Sequence, residues 1–367
     1  MWITSSLKAA KTPVNIALGN FDGVHLGHQR VMAEILPSLQ TAQTVKTTPT
    51  AASPMLTSAS IAALHRGVIA SGYSHLSDHE PLAAADLPIE FSLNPTDPQN
   101  YATVVTFLPH PQEYFSGISR PLLTPIAEKI WQLAQLGIAQ LVMLPFNRAL
   151  AELNPEAFVK QILIEGLQVQ RISVGNDFRF GKGRGGDAEA LQAIAATCGV
   201  PVTRVPLLHE KGDRISSSRI RAALQTGELA EATHLLGRPY TLTGRVVKGQ
   251  QLGRTLGFPT ANLQVPIDKY LPGRGVYSVW VYGAAAQPLR GVMNIGDRPT
   301  VNQVNGQTLS VEVHILDWAG DLYGQLLTVS LEGFVRPEQK FDSLAQLKAQ
   351  IAADCQVAIA TLSQSIS

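Results

Sequence analysis

Apolar residues recur along this chain in two rhythms, and the change falls near residue 237. In the first part, short apolar runs at 14–18, 102–107, 140–144, 171–174 and 201–205 read as strands. Stretches with helix-forming residues and helical apolar spacing lie between them, among them 30–36 and 126–136. Thr124, Pro125 and Glu128 supply an N-cap, a proline at the first helical position and a first-turn acid, and Gly137 marks the stop. Asn154-Pro155-Glu156 caps a further helix. This alternation predicts an α/β domain with a parallel sheet. From Tyr240 onward, alternating strands at 240–247, 275–282, 310–316 and 326–331 are separated by turn glycines, the pattern of a small antiparallel barrel. The chain closes on a helix: Ser343 and Gln346 fit a capping box, and Leu344, Leu347 and Ile351 form an apolar stripe. The expected domains are 1–236 and 237–367, with no internal repeat.

One stretch breaks the first rhythm. From about 38 to 101 the chain is rich in Thr, Ala, Ser and Pro. Structureless connections beyond roughly 12–15 residues are uncommon inside compact domains, so an inserted, partly flexible segment near 40–100 is expected, with a short helix around 60–69. His65, His75 and His79 fall here, but no cysteine and little acid stand at ligand spacing, which disfavours a metal site.

Composition narrows the function. A chain of 367 residues suggests two or three domains, and 45% hydrophobic residues suffice for real cores. With 29 basic against 28 acidic residues the net charge is +1, giving no general electrostatic case for nucleic acid or an anionic membrane. No apolar run reaches the ~18 residues of a membrane span, and the N-terminus lacks the apolar core of a secretory signal. Cys198 and Cys355 form no metal or redox motif, so a reduced, cytoplasmic protein is expected. Oligomeric state is not legible.

The chemistry concentrates in a few motifs. GNFDGVHLGH, residues 19–28, stands between a strand and a helix, at the sheet edge where open parallel sheets bind ligands. A helix N-terminus there offers N–H groups suited to phosphate. His25 and His28, three apart, share one face of a helical turn and suit a reaction that builds charge on phosphate oxygens. The spacing is neither the dinucleotide fingerprint nor a P-loop. A second glycine-rich segment, residues 175–187, follows the fourth strand; Gly181, Gly183, Gly185 and Gly186 allow close approach to a ligand, and Arg179, Lys182 and Arg184 add positive charge. In ISSSRIR, residues 215–221, the serines can cap a helix, and with Arg219 and Arg221 can also clamp a polyphosphate. In the barrel, GRTLGFPTAN at 253–262 places a hydroxyl and an amide close together, oxygen ligands that Mg²⁺ and nucleotide phosphates accept. Glu312 lies mid-strand, facing away from Val311, Val313 and Ile315, where it is either a solvent-facing residue or a base.

The form H-x-G-H after a strand resembles the nucleotidylyltransferase superfamily. GNFDGVHLGH, VVTFLPHP, VGNDFRFG and ISSSRIR together resemble the FAD synthetase half of the bifunctional bacterial riboflavin kinase/FAD synthetase family; GRTLGFPTAN, GVYSVWV, GVMNIGDRPT, VEVHILDW and DLYG resemble its kinase half. The resemblance implies a Rossmann-like nucleotidylyltransferase domain followed by a riboflavin kinase-like barrel. It implies conversion of riboflavin and ATP to FMN in the barrel, then of FMN and ATP to FAD and pyrophosphate in the α/β domain, with Mg²⁺. By resemblance, His25 and His28 stabilise the α-phosphate transition state. Gly19, Asn20, Phe21, Gly23, Ser217, Ser218, Arg219 and Gly253 contact ATP or its phosphates. Thr260 and Asn262 hold Mg²⁺ and phosphates, and Glu312 is the base on the ribityl hydroxyl. Flavin contacts are implied at Asp177, Phe178, Arg179, Tyr277 and Asn294. The partners implied are small molecules only. Two features depart from the family: Leu108 stands where an acid usually precedes Pro-His-Pro, and the segment before the second strand is longer. A different nucleotidylyltransferase would not need the barrel motif. A non-catalytic flavin-binding protein would be marked by loss of His25, His28, Asn262 or Glu312, and all four are present.

Overall fold

The computed structural model describes residues 1–36, 100–249, 252–297 and 309–364. The expectations for the insertion, its short helix and its three histidines lie outside these residues, as does the end of the GVMNIGDRPT motif. The described residues fall into two units, one of 1–36, 100–120 and 126–215, the other of 121–125 and 216–364.

In the first unit the apolar runs become β1 (Trp2–Thr4), β2 (Val14–Leu18), β3 (Tyr101–Leu108), β4 (Gln140–Pro145), β5 (Val169–Gly175) and β6 (Val202–Val205). Their order in the sheet is β1–β4–β3–β2–β5–β6, and every neighbouring pair is parallel. β2 lies mid-sheet with Val14, Ile16, Ala17 and Leu18 buried, as expected of a strand covered on both faces. The α-helices of six or more residues are α1 (Leu26–Ala33), α2 (Pro111–Ser116), α3 (Ile126–Gln135) and α4 (Ala188–Thr197). α1 begins earlier than the expected 30–36, because the chain is already capped at His25. α3 buries Ile130, Leu133 and Ala134 and gives way at Gly137, whose φ of +83° is the left-handed stop. Asn154 caps a short helix at Pro155–Ala157 by accepting from the Ala157 N–H, and it continues with wider π-type turns over Phe158–Gly166. Phe158, Val159 and Leu163 from that stretch join Val14, Ile16 and Ile172 in the core.

In the second unit α5 (Ser217–Thr226) and α6 (Leu229–Leu236) precede the barrel, each ending at a left-handed glycine, Gly227 and Gly237. The barrel strands are β7 (Tyr240–Val247), β8 (Ala261–Gln264), β9 (Gly275–Tyr282), β10 (Leu289–Asp297), β11 (Leu309–Ile315) and β12 (Leu326–Arg336). They close antiparallel in the order β7–β8–β11–β10–β9–β12. The final helix α7 (Leu344–Gln364) packs Cys355 and Ala358 against Val276, Val292 and Leu316. Its Asp354 is 2% exposed and is held bidentately by Arg336, at 2.9 and 2.8 Å, with Gln350 donating as well. The short run 121–125 belongs with the barrel: the Leu122 N–H donates to the Asp268 carbonyl, and the Lys269 ammonium donates to the Leu123 carbonyl.

Candidate functional sites

The turn between β2 and α1 builds the first site. The Gly19 N–H donates to the Val105 carbonyl and fixes the turn against β3. Gly23 has φ +92°, which glycine adopts freely, but Phe21 and Val24 also take left-handed values of 52° and 44°. Non-glycine residues in such conformations cost on the order of 1–3 kcal/mol each and persist where the surroundings over-determine them. Those surroundings are visible. The Asn20 carbonyl accepts from the Lys129 ammonium at 2.8 Å and from the Thr106 hydroxyl at 3.3 Å. The Val24 carbonyl accepts from the Gln29 side-chain amide at 2.9 Å.

This turn delivers two imidazoles to one place. His25 is the N-cap of α1, and its Nδ1 accepts from the His28 N–H at 3.3 Å, so the lone pair is on Nδ1 and the ring's proton on Nε2 when neutral. The two rings stack with centroids 3.6 Å apart and 17° between planes, and Phe21 packs edge-on against His28. The Asn20 side-chain oxygen is buried with no hydrogen-bond partner among the described residues, an acceptor suited to a donor from outside the chain. The expected set Gly19, Asn20, Phe21, Gly23, His25 and His28 is thus gathered in one turn. Lys129, which supports it, was not among the expected residues. It stands on the buried stripe of α3, four residues ahead of Leu133, a placement that its residue type alone does not announce.

The glycine-rich loop after β5 is knitted into its own unit. Arg214 pairs with Asp177, Arg179 with Asp187 at 3.1 Å and Lys182 with Glu152 at 2.6 Å. Phe178 stacks on Phe180, with ring centroids 5.7 Å apart. Two of its glycines answer to packing rather than to close ligand approach. A Cβ at Gly186 would fall 2.7 Å from the Phe180 ring, and one at Gly181 would fall 3.0 Å from Pro155. On α5, Ser216 caps the helix by accepting from the Arg219 N–H, leaving Ser217 and Ser218 in the first turn. Arg219 Nε donates to Glu231 of α6 at 2.7 Å, while Arg221 donates to the Pro121 carbonyl and lies over the Tyr270 ring.

In the barrel, register assembles the second site. Glu312 on β11 is paired with Asn262 on β8 at one side and with Asn294 on β10 at the other. Residues directly opposite across strands share a face, so these three form one polar row. The Thr260 hydroxyl donates to Glu312 Oε2 at 3.3 Å. The alternation expected on β11 holds: Val311, Val313 and Ile315 are buried and Glu312 and His314 are half-buried on the other face. His314 Nδ1 donates to the Pro259 carbonyl at 2.8 Å, and Phe258 packs edge-on to the same ring, drawing the segment before Thr260 onto β11. Gly249 and Gly253 are needed here by contact. A side chain at Gly249 would collide with that of Asn262, and one at Gly253 with the Phe258 carbonyl. Among the described residues no cluster of three His, Cys, Asp or Glu could hold a metal. The oxygen donors Thr260, Asn262 and Glu312 are instead what a hard cation accepts alongside phosphate oxygens and water.

Tyr277, expected at the flavin, lies in the barrel interior. It is 0% exposed, donates its hydroxyl to the Gly273 carbonyl and packs against Phe334. Burial pushes its phenol up to about 12. A side chain so enclosed packs within the barrel core. Tyr277→Phe should leave the KM for riboflavin unchanged and cost about 1 kcal/mol of stability through the lost hydrogen bond, measured by denaturant unfolding beside a steady-state assay.

Comparison with known proteins covers both units. The family model for FAD synthetase matches residues 7–50 and 93–219, leaving 51–92 unmatched, and that for riboflavin kinase matches 236–362. The bifunctional riboflavin kinase/FMN adenylyltransferase of Escherichia coli K12 is 45% identical over 68% of this chain and 79% of its own. That of Bacillus subtilis is 34% identical over 94% of this chain and 91% of its own. A crystal structure of a protein described as a macrolide-efflux protein from Streptococcus pneumoniae superposes with a TM-score of 0.70 at 27% identity, over 97% of both chains. Among the described residues no helix is long and apolar enough to cross a membrane.

Proposed function

This chain belongs to the bifunctional riboflavin kinase/FMN adenylyltransferase family, and from that premise we propose how its residues divide the two reactions. It phosphorylates riboflavin to FMN and adenylylates FMN to FAD. The kinase is placed from residue 237, a placing supported by the start of the kinase match at residue 236, while α5 and α6 fold with the barrel in the unit of 121–125 and 216–364. The protein works in the cytoplasm on small molecules, a placing supported by its balanced charge and its two free cysteines.

In the kinase, Glu312 takes the proton of the ribityl hydroxyl as that oxygen attacks the γ-phosphorus of ATP, the bond to the bridging oxygen breaks and ADP leaves. The observation that carries this is the polar row Asn262–Glu312–Asn294, with Thr260 donating to the same carboxylate. Thr260 and Asn262 would hold Mg²⁺, which when bound neutralises phosphate charge. Gly253, against which Phe258 and Thr260 pack closely, contacts the ATP phosphates, and Asn294 borders the flavin side. In the adenylyltransferase, the FMN phosphate attacks the α-phosphorus of a second ATP and pyrophosphate leaves. His25 and His28 donate to the oxygens on which charge develops, with the turn's Gly19, Asn20, Phe21 and Gly23 around the nucleotide. Ser217, Ser218 and Arg219 serve the departing pyrophosphate, the guanidinium being oriented by Glu231. Asp177, Phe178 and Arg179 border the flavin of this half. Both steps are in-line displacements that need positioning and charge neutralisation more than covalent chemistry.

The assay is direct. The purified chain with riboflavin, ATP and Mg²⁺ should yield FMN and then FAD on chromatographic separation of the flavins. With EDTA in excess over metal both products should fall below detection and return on adding Mg²⁺. Riboflavin phosphorylated at full rate in EDTA would remove the metal role from Thr260 and Asn262.

A further inference from the structure

Lys129 is a charged side chain in the interior of the first unit, 7% exposed, on the apolar stripe of α3. An ammonium is expensive to bury unless it is paired and hydrogen-bonded. Here its hydrogen bond goes to a neutral group, the Asn20 carbonyl at 2.8 Å, while the Asp22 and Glu113 carboxylates act on it through space. Burial, the largest influence, pulls it below the ordinary lysine range, against the pull of both carboxylates. A methionine would fill the same stripe without the charge, so packing alone does not account for a lysine at this place.

The carbonyl it holds is the one immediately before Phe21, the first of the two left-handed non-glycine residues of the turn. The second, Val24, has its own carbonyl held by Gln29, and the next residue is His25. The strained segment is therefore gripped at both ends by side-chain donors, Lys129 with Thr106 at the start and Gln29 at the finish. A β-branched residue at positive φ relaxes to an extended or helical conformation when its surroundings permit, and relaxation at Val24 would rotate the cap of α1 and both imidazoles with it.

We infer that Lys129 is a positioning residue for FMN adenylylation: by holding the Asn20 carbonyl it keeps the turn in the conformation that aims His25 and His28 at one point. This rests on the histidine roles proposed above. It adds a residue on a different element, α3, that touches neither reacting phosphate.

The test is a double-mutant cycle on the full chain, reading kcat and KM for FAD formation from FMN and ATP. Lys129→Met should lower kcat ~10–100-fold, the scale of an ångström-sized misplacement, with the KM for FMN within a few-fold. Combined with His28→Ala, it should add little to the loss caused by His28→Ala alone, because residues that act through one another are not additive. A near wild-type kcat for Lys129→Met, with a lowered melting temperature as its sole effect, would make Lys129 a core residue and overturn the inference. Losses that multiply in the double mutant would overturn it too, since Lys129 would then act apart from the histidines. If His28→Ala alone is harmless, the histidine reading fails and the inference with it; if His28→Ala is crippled and Lys129→Met is not, the inference alone fails. Should the methionine variant not fold, Lys129→Gln, which keeps a shorter donor, should show a smaller loss with the same non-additivity, and full activity there would again overturn the inference.

Discussion

Glu312→Gln should stop the chain at riboflavin. The variant keeps the size and hydrogen-bonding capacity of the side chain and loses its basicity. A positioned general base contributes ~10²–10⁴ in rate, so FMN formation should fall by that factor while riboflavin binding is largely kept. The neighbours make a folding defect an unattractive explanation. Glu312 is half-buried on the polar face of β11, and its partner, the Thr260 hydroxyl, donates as well to an amide oxygen as to a carboxylate. The same preparation supplied with FMN should make FAD at the wild-type rate, because that reaction uses the parallel-sheet domain. Chromatography of the flavins from two parallel incubations, one with riboflavin and one with FMN, reads both results. A variant that phosphorylates riboflavin normally would return Glu312 to an ordinary strand position, where substitution changes stability by no more than ~0.5 kcal/mol.

His28→Ala should give the mirror image. Loss of one donor to a developing phosphate charge costs on the order of 10²–10³ in kcat. FMN formation should be untouched and FMN should accumulate. The ring of His28 stacks on His25 and meets the edge of Phe21, so some local loosening is built into the alanine variant. His28→Asn, which keeps a hydrogen-bond donor, separates loosening from lost donation: partial recovery of FAD formation is expected. An equal fall of both activities would point to global damage and contradict the assignment.

Much of this was legible in the residues because the signals were local. The strand-turn-helix of 14–33 followed from an apolar run, glycines and a helix-forming stretch, and the barrel followed from period-two alternation. Alternation alone placed Glu312 on the polar face of β11, as the burial of Val311 and Val313 bears out. What was not legible depends on contacts far apart in sequence. Lys129 meets Asn20 across 109 positions, and a lysine in an amphipathic helix is ordinarily read as solvent-facing. The partnership of Arg219 with Glu231 required knowing how α5 and α6 pack. Glycines mislead in the same way: Gly181 and Gly186 have the composition of a ligand loop, but Pro155 and Phe180 occupy the space their side chains would need. Tyr277 falls on the enclosed side of β9, a matter settled by barrel closure and the packing of Phe334.

The polar row of the barrel has a consequence for how this kinase can drift over time. Asn262, Glu312 and Asn294 come from β8, β11 and β10, strands adjacent in space, of which β8 is separated from the other two in the chain by β9. Each is bonded to a neighbour on both sides, so no strand can slip without re-pairing the whole ring. Insertions and deletions in the connections leave the row intact, however the loops lengthen or shorten. A single deletion inside β11 instead sets a valine opposite both amides and turns the carboxylate inward. The lineage is free to remodel its loops and is held, residue for residue, to the length of three strands.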